Sequence, residues 1–237
     1  MAQTTPTQTI GFALVGGAGL DDWVWKNVIT NLKCPSMVIH FSKAHSTDGM
    51  SVYTEEAKAQ LAHFNVDKVV VVGHSLGGTI GLSVAQTLGD RLAGFIAISA
   101  TIPKNGGSFF SALPMPQKFI MPLIVRFAGT RPSDKILAQG YCNDLSAEVT
   151  QQVIQNYRPE TRQIYSDKSA PVPQDVPKLY IKTTNDPEMS DAFQQLMAKN
   201  LGAGQTAQIA TGHLPMLGKP QELADMLNRF VDSQVLL

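Results

Sequence analysis

Six short apolar runs punctuate the chain, at residues 9–15, 36–41, 68–72, 93–99, 178–183 and 205–210. Several are continuous rather than alternating, which is the pattern of strands covered on both faces. Between them, at 23–32, 53–64, 76–88, 191–200 and 220–231, apolar residues recur at every third or fourth position and predict helices. Strands alternating with helices in this way predict an α/β fold built on a mostly parallel six-stranded sheet flanked by helices. One interval breaks the rhythm. Between Ser99 and Lys178 no parallel strand is legible, and the interval is too long for a structureless loop. It opens with a stretch rich in Pro, Gly and Ser, continues through Phe109, Phe110, Leu113, Met115, Phe119, Ile120, Met121, Leu123, Ile124 and Phe127, and has a helical pattern at 146–157. The expected organisation is therefore a core of residues 1–101 and 178–237 with a helical cap inserted over 102–177. The cap would cover the carboxyl edge of the sheet, where open α/β sheets bind ligands.

Composition narrows the picture. Of the 237 residues, 43% are hydrophobic and 16% charged, the balance of a buried globular core. Nineteen Lys plus Arg balance nineteen Asp plus Glu without a basic stripe, so neither nucleic acid nor an anionic lipid surface is an expected partner. The first nine residues, Met-Ala-Gln-Thr-Thr-Pro-Thr-Gln-Thr, carry no cationic start or apolar run, and no stretch reaches the roughly 18 apolar residues of a membrane span. A cytoplasmic protein is the expectation, with room for a homodimer. Cys34 and Cys142 are too few for a disulfide framework and lack metal-ligand spacing, so reduced thiols, no metal and no cofactor are expected.

The chemistry concentrates after the third run. Val69-Val70-Val71-Val72-Gly73-His74-Ser75-Leu76-Gly77-Gly78 places Gly-x-Ser-x-Gly between a buried strand and a helix, the setting that a nucleophile elbow requires. Gly73 and Gly77 are expected where a Cβ would crowd the sharp crossing of strand and helix. A serine hydroxyl needs a base. Of five histidines, His40, His45, His63 and His74 fit structural or solvated roles, whereas His213 follows the last strand and precedes the final helix. The base in turn needs a carboxylate. Asp186, in the loop after the fifth strand, is the first candidate, with Glu188 and Asp191 behind it. Two backbone donors should face the oxyanion: Leu76 N–H, and Ala18 N–H from the loop Gly16-Gly17-Ala18-Gly19. That loop lacks the dinucleotide fingerprint and the Walker lysine.

With these motifs, the Trp23-x-Trp25 pair and Gly212-His213-Leu214 in hand, the chain resembles the α/β-hydrolase superfamily. Within it, the chain is similar to the compact methylesterase and hydroxynitrile lyase group and its bacterial esterase relatives. In the cap the likeness is limited to Cys142, Asp144 and Arg158-Pro159. The family usually has His-Gly at the oxyanion loop, where this chain has Gly16-Gly17. Its cyanohydrin-cleaving members carry a threonine where Gly17 stands and a lysine where Leu214 stands, so the resemblance implies ester hydrolysis rather than lyase chemistry. The expected substrate is a small-molecule ester of small to medium hydrophobic groups, cleaved through an acyl-enzyme on Ser75. Gly17, Phe109, Phe110, Met115, Phe119, Met121 and Leu214 are the expected substrate-binding residues, with plain packing of the cap on the core as the competing role for the aromatic and Met side chains. An acyltransferase, a cofactor-free lyase and a slow-turnover receptor are the alternatives on the same scaffold.

Overall fold

The computed structural model describes residues 8–43, 45 and 47–235; the N-terminal residues read above for a leader lie largely outside them. The strands are β1 (Ile10–Val15), β2 (Ser36–Val38), β3 (Lys68–His74), β4 (Leu92–Ile98), β5 (Lys178–Thr183) and β6 (Gln205–Ile209). They form one sheet in the order β2-β1-β3-β4-β5-β6, and every pairing is parallel. The helices are α1 (Lys26–Ile29), α2 (Met50–Ala62), α3 (Leu76–Leu88), α4 (Phe109–Ala112), α5 (Gln117–Ala128), α6 (Asp134–Ile136), α7 (Ala147–Asn156), α8 (Asp191–Leu201), α9 (Pro215–Gly218) and α10 (Pro220–Phe230).

Successive side chains of a strand point to opposite faces, so a sheet covered twice divides its apolar residues between two cores. Ala13, Val15, Val69, Val71, Phe95 and Tyr180 pack with Tyr53 and Leu61 of α2, Ile80 of α3 and Met197 of α8. Phe12, Leu14, Val70, Val72, Ile96 and Ile181 pack on the other face with Trp25, Val28 of α1, and Leu223 and Leu227 of α10. This double cover is why the runs are continuously apolar.

Two elements are shorter than the sequence pattern predicts. β2 ends at Val38, because the side chain of Gln60 takes over both backbone groups of His40: its Oε1 accepts from His40 N–H at 3.0 Å and its Nε2 donates to His40 C=O at 2.7 Å. The helix expected at 23–32 is a 3-10 turn, Asp22–Trp25, followed by α1. Thr30 Oγ1 and Asn31 Nδ2 both donate to Asn27 C=O there, competing with the backbone donors that would extend the helix. Between β4 and β5 the chain forms α4 to α7. Among the described residues no helix is long and apolar enough to cross a membrane, no His, Cys, Asp and Glu group could hold a metal ion, and both cysteines are unpaired.

Strand order turns the chain one way from β1 to β2 and the other way from β1 to β3, which makes a switch point at the carboxyl ends of β1 and β3. Val15 is in register with Gly73, so the loop after β1 and the turn after β3 emerge side by side.

Candidate active site

Ser75 sits on that turn with φ 53° and ψ −122°, a conformation a non-glycine residue adopts only when its surroundings impose it. The two flanking glycines are what permits it. A Cβ at Gly73 would lie 2.5 Å from Gly77 O, and one at Gly77 would lie 2.3 Å from Val15 O. Ser75 C=O accepts from Gly78 N–H and Thr101 N–H, both at 3.0 Å, which pins the turn to the helix start and to the chain leaving β4. Ser75 Oγ is therefore held beside the N-terminus of the 13-residue α3, the positive end of its dipole.

His213 comes from the loop after β6 and is almost fully buried. Its Nε2 lies 3.0 Å from Ser75 Oγ and its Nδ1 lies 2.8 Å from Asp186 Oδ2. Asp186, from the loop after β5, is buried too. Its Oδ2 also accepts from Ser99 Oγ at 2.5 Å and Thr183 Oγ1 at 2.8 Å, and its Oδ1 accepts from the backbone N–H of Glu188 and Met189. Burial alone would raise this carboxyl, but the charge of His213 and the hydrogen bonds from His213, Ser99 and Thr183 outweigh it and hold the group well below the usual carboxylate range. Next to the ionised Asp186, a neutral His213 that donates Nδ1–H to the carboxylate has its Nε2 lone pair facing the Ser75 hydroxyl.

The other candidates for the acid lie elsewhere. Asp191 pairs with Lys182 at 2.7 Å on the surface. Glu188 gives only its backbone N–H to Asp186, while its side chain borders the cavity described below. His40, His45 and His63 are exposed. His74 is fully buried, and its Nε2 lies 2.8 Å from His213 C=O, so the histidine inside the elbow ties down the backbone of the histidine beside Ser75. Burial first, and then the nearby His213, lower its pKa to about 3, which keeps the ring neutral and Nε2 a donor.

A cavity of about 430 Å³ opens onto Ser75. Ala18 and Leu76 border it beside the serine, and Phe109, Met121, Ile124, Val125 and Ala128 form an apolar wall. Tyr141, Tyr157, Tyr165, Arg131 and Glu188 also line it. The expected substrate-binding residues thus divide. Phe109 and Met121 line the cavity, whereas Met115 and Phe119 are 64% and 61% exposed and lie outside it. Met115 precedes α5, and for Phe119 helix period explains the difference, because residues 121, 124, 125 and 128 share one face of α5 and 119, 123 and 127 the opposite one. Phe110 packs behind the lining, stacked on Tyr165. Leu214 turns into the core and is fully buried, so it presents no surface at the mouth. Gly17 lies beneath Ser75, where a Cβ would come within 2.7 Å of His74 Nδ1 and 3.0 Å of Ser75 Cβ. Tyr141 carries no sequence signal, yet its ring packs edge-on against His213 with centroids 5.1 Å apart.

Comparison with known proteins agrees with this architecture. Methylesterase 8 of Arabidopsis thaliana is 25% identical over 251 residues, spanning 93% of this chain and 89% of its own. An extracellular alpha/beta-hydrolase from a Paenibacillus species superposes with a TM-score of 0.82 at 18% identity, covering 95% of this chain and 99% of that one. The crystal structure of an Arabidopsis methylesterase gives a TM-score of 0.73 at 20% identity, covering 94% and 99%. The model of the alpha/beta hydrolase family matches residues 13–226, and the chain belongs to that family.

Proposed function

We propose that the chain is a carboxylic ester hydrolase that works through an acyl-enzyme on Ser75, with His213 as base and Asp186 as its orienting acid. The observation that carries this reading is the unbroken path from Asp186 Oδ2 through His213 to Ser75 Oγ, ending at a cavity large enough for an ester. His213 Nε2 takes the hydroxyl proton as Oγ attacks the ester carbonyl carbon. The negative charge that moves onto the carbonyl oxygen is met by Leu76 N–H, at the start of α3, and by Ala18 N–H, from the loop after β1. His213 then returns the proton to the departing alkoxide, and the alcohol leaves. Water attacks the acyl group with His213 again taking the proton, and Ser75 is restored.

The substrate class is an ester with a small or medium apolar group, since Phe109, Met121, Ile124 and Val125 wall the cavity with hydrocarbon. The methylesterase relatives support a small alcohol as the leaving group. Residues 102–177 act as the cap that shapes this pocket. Cyanohydrin cleavage is disfavoured, because Gly17 and Leu214 stand where the cyanohydrin-cleaving members carry a threonine and a lysine.

A fluorophosphonate probe should label the protein stoichiometrically and leave Ser75→Ala unlabelled. Esters varied separately in acyl length and alcohol should be hydrolysed, with turnover lost in Ser75→Ala. Absence of labelling, or equal labelling of both proteins, contradicts the reading.

A further inference from the structure

The loop that carries Ala18 has little support of its own. Gly16 contributes no side chain, and a cavity of about 20 Å³ beside it is bounded by Trp25, Lys43 and Glu160. The grip on this loop comes from the segment between β4 and β5. Gly19, at φ +74°, fits only because it lacks a side chain, since a Cβ there would lie 2.1 Å from the ring of Tyr157. Its C=O accepts from Arg158 N–H at 3.0 Å, and its N–H donates to Glu160 Oε1 at 3.1 Å.

Glu160 is itself tied on every side. Lys43 Nζ lies 2.6 Å from the same Oε1, and both side chains are buried. Tyr53 OH, from α2, donates to Oε2 at 2.7 Å, and Thr130 Oγ1 donates to the Glu160 carbonyl at 2.6 Å. Burial and the neighbouring Glu160 charge raise the Tyr53 hydroxyl well above its ordinary value, so it stays a donor. A buried ion pair is weak support for stability, because desolvation offsets most of the attraction, but its geometry is specific. This one joins the loop after β1, the chain after β2, α2 and the inserted segment at a single carboxylate.

We propose that Glu160 is a positioning residue for the oxyanion site: by holding Gly19 N–H it fixes the peptide after Ala18 and keeps the Ala18 donor beside Ser75. The inserted segment thereby completes the catalytic machinery as well as shaping the pocket. The inference rests on the ester-hydrolase reading, and its test separates the two.

Glu160→Ala and Glu160→Gln are compared with the parent on p-nitrophenyl butyrate, with active sites counted by fluorophosphonate burst titration. Loss of one oxyanion donor lowers kcat by about 10²–10³, so a donor displaced but still present should lower it by about 10–100-fold. The expected result for Glu160→Ala is that fall in kcat per titrated site with KM within about threefold. A trifluoromethyl ketone, which forms a tetrahedral adduct, should lose affinity by a similar factor. Glu160→Gln keeps a carbonyl oxygen for Gly19 N–H and should return to within about tenfold of the parent. If Glu160→Ala does not fold, Tyr53→Phe, which removes the donor to Glu160 Oε2, carries the test with a smaller fall in kcat at constant KM. Unchanged kcat per site in folded Glu160→Ala or, where that variant does not fold, in Tyr53→Phe, or a loss confined to KM or to the number of titratable sites, overturns the inference. A parent that neither turns over esters nor takes up the probe overturns the ester-hydrolase reading instead.

Discussion

Asp186 Oδ2 receives three side-chain donors, His213 Nδ1, Ser99 Oγ and Thr183 Oγ1, and each favours the ionised form. An amide in its place presents a donor where Nδ1–H already points, which turns His213 to the tautomer that cannot accept the serine proton. Asp186→Asn should therefore lower kcat by about 10³–10⁴-fold while folding normally, as steady-state kinetics and circular dichroism would show. His74 makes a separate prediction in stability. Its pKa falls from 6.5 in the unfolded chain to about 3 in the folded protein, so below pH 6.5 the unfolded chain binds a proton that the folded one refuses. The stability that neutral His74 contributes is complete above pH 6.5 and should fall by about 1.4 kcal/mol per pH unit as pH drops toward 3. Urea unfolding at pH 7, 6, 5 and 4 measures that slope, and His74→Gln should flatten it. Ser75, His213 and Asp186 were legible in the sequence because each stands at a predictable strand end in a fixed chain order. Ser99 and Thr183 were not, since a hydroxyl at the end of a strand looks the same whether it faces solvent or a carboxylate. Glu160 was hidden for the opposite reason: its partners come from four separated stretches of chain.

Legibility of the elements tracks how locally each is determined. β5 and α3 have the bounds that their patterns predict, because one is a continuous apolar run and the other begins at an obligatory turn. The elements between β4 and β5 were less readable. α5 is apolar on both faces, so periodicity gives a helix but not its phase, and Phe119 cannot be distinguished from Met121 until the wall of the cavity is seen. The glycines of the elbow region allow a contrast. Gly73→Ala forces a Cβ into the backbone of α3 and should prevent soluble expression or lower Tm sharply. Gly81→Ala, in the same helix three residues after the turn's last glycine, meets nothing closer than 3.4 Å and should stabilise by about 0.5–1 kcal/mol, readable as a rise in Tm. Along the inserted segment, Phe127 is 80% exposed and Leu137 fully buried. Phe127→Ser should change unfolding free energy by less than about 0.5 kcal/mol and Leu137→Ala should cost about 2–5 kcal/mol, both measured by denaturant titration.

On the scale of the molecule, the alternation of strands and helices was enough to predict a parallel sheet of six strands, and the break in that rhythm falls on the stretch between β4 and β5 that forms α4 to α7. What the pattern could not convey is how that segment meets the core, since its contacts to the loop after β1 run through single residues far apart in sequence. Gly19 is gripped by Tyr157, Arg158 and Glu160 from one short stretch. That bears on how specificity in such a scaffold can be recombined. Exchanging residues 102–177 for a stretch that lacks a glutamate at the position of Glu160 would remove the carboxylate partner of Lys43 and strand a buried ammonium beside the loop after β1. Such a chimera should turn over esters poorly until a glutamate is restored at position 160, so a new pocket grafted on this core needs that one carboxylate carried with it.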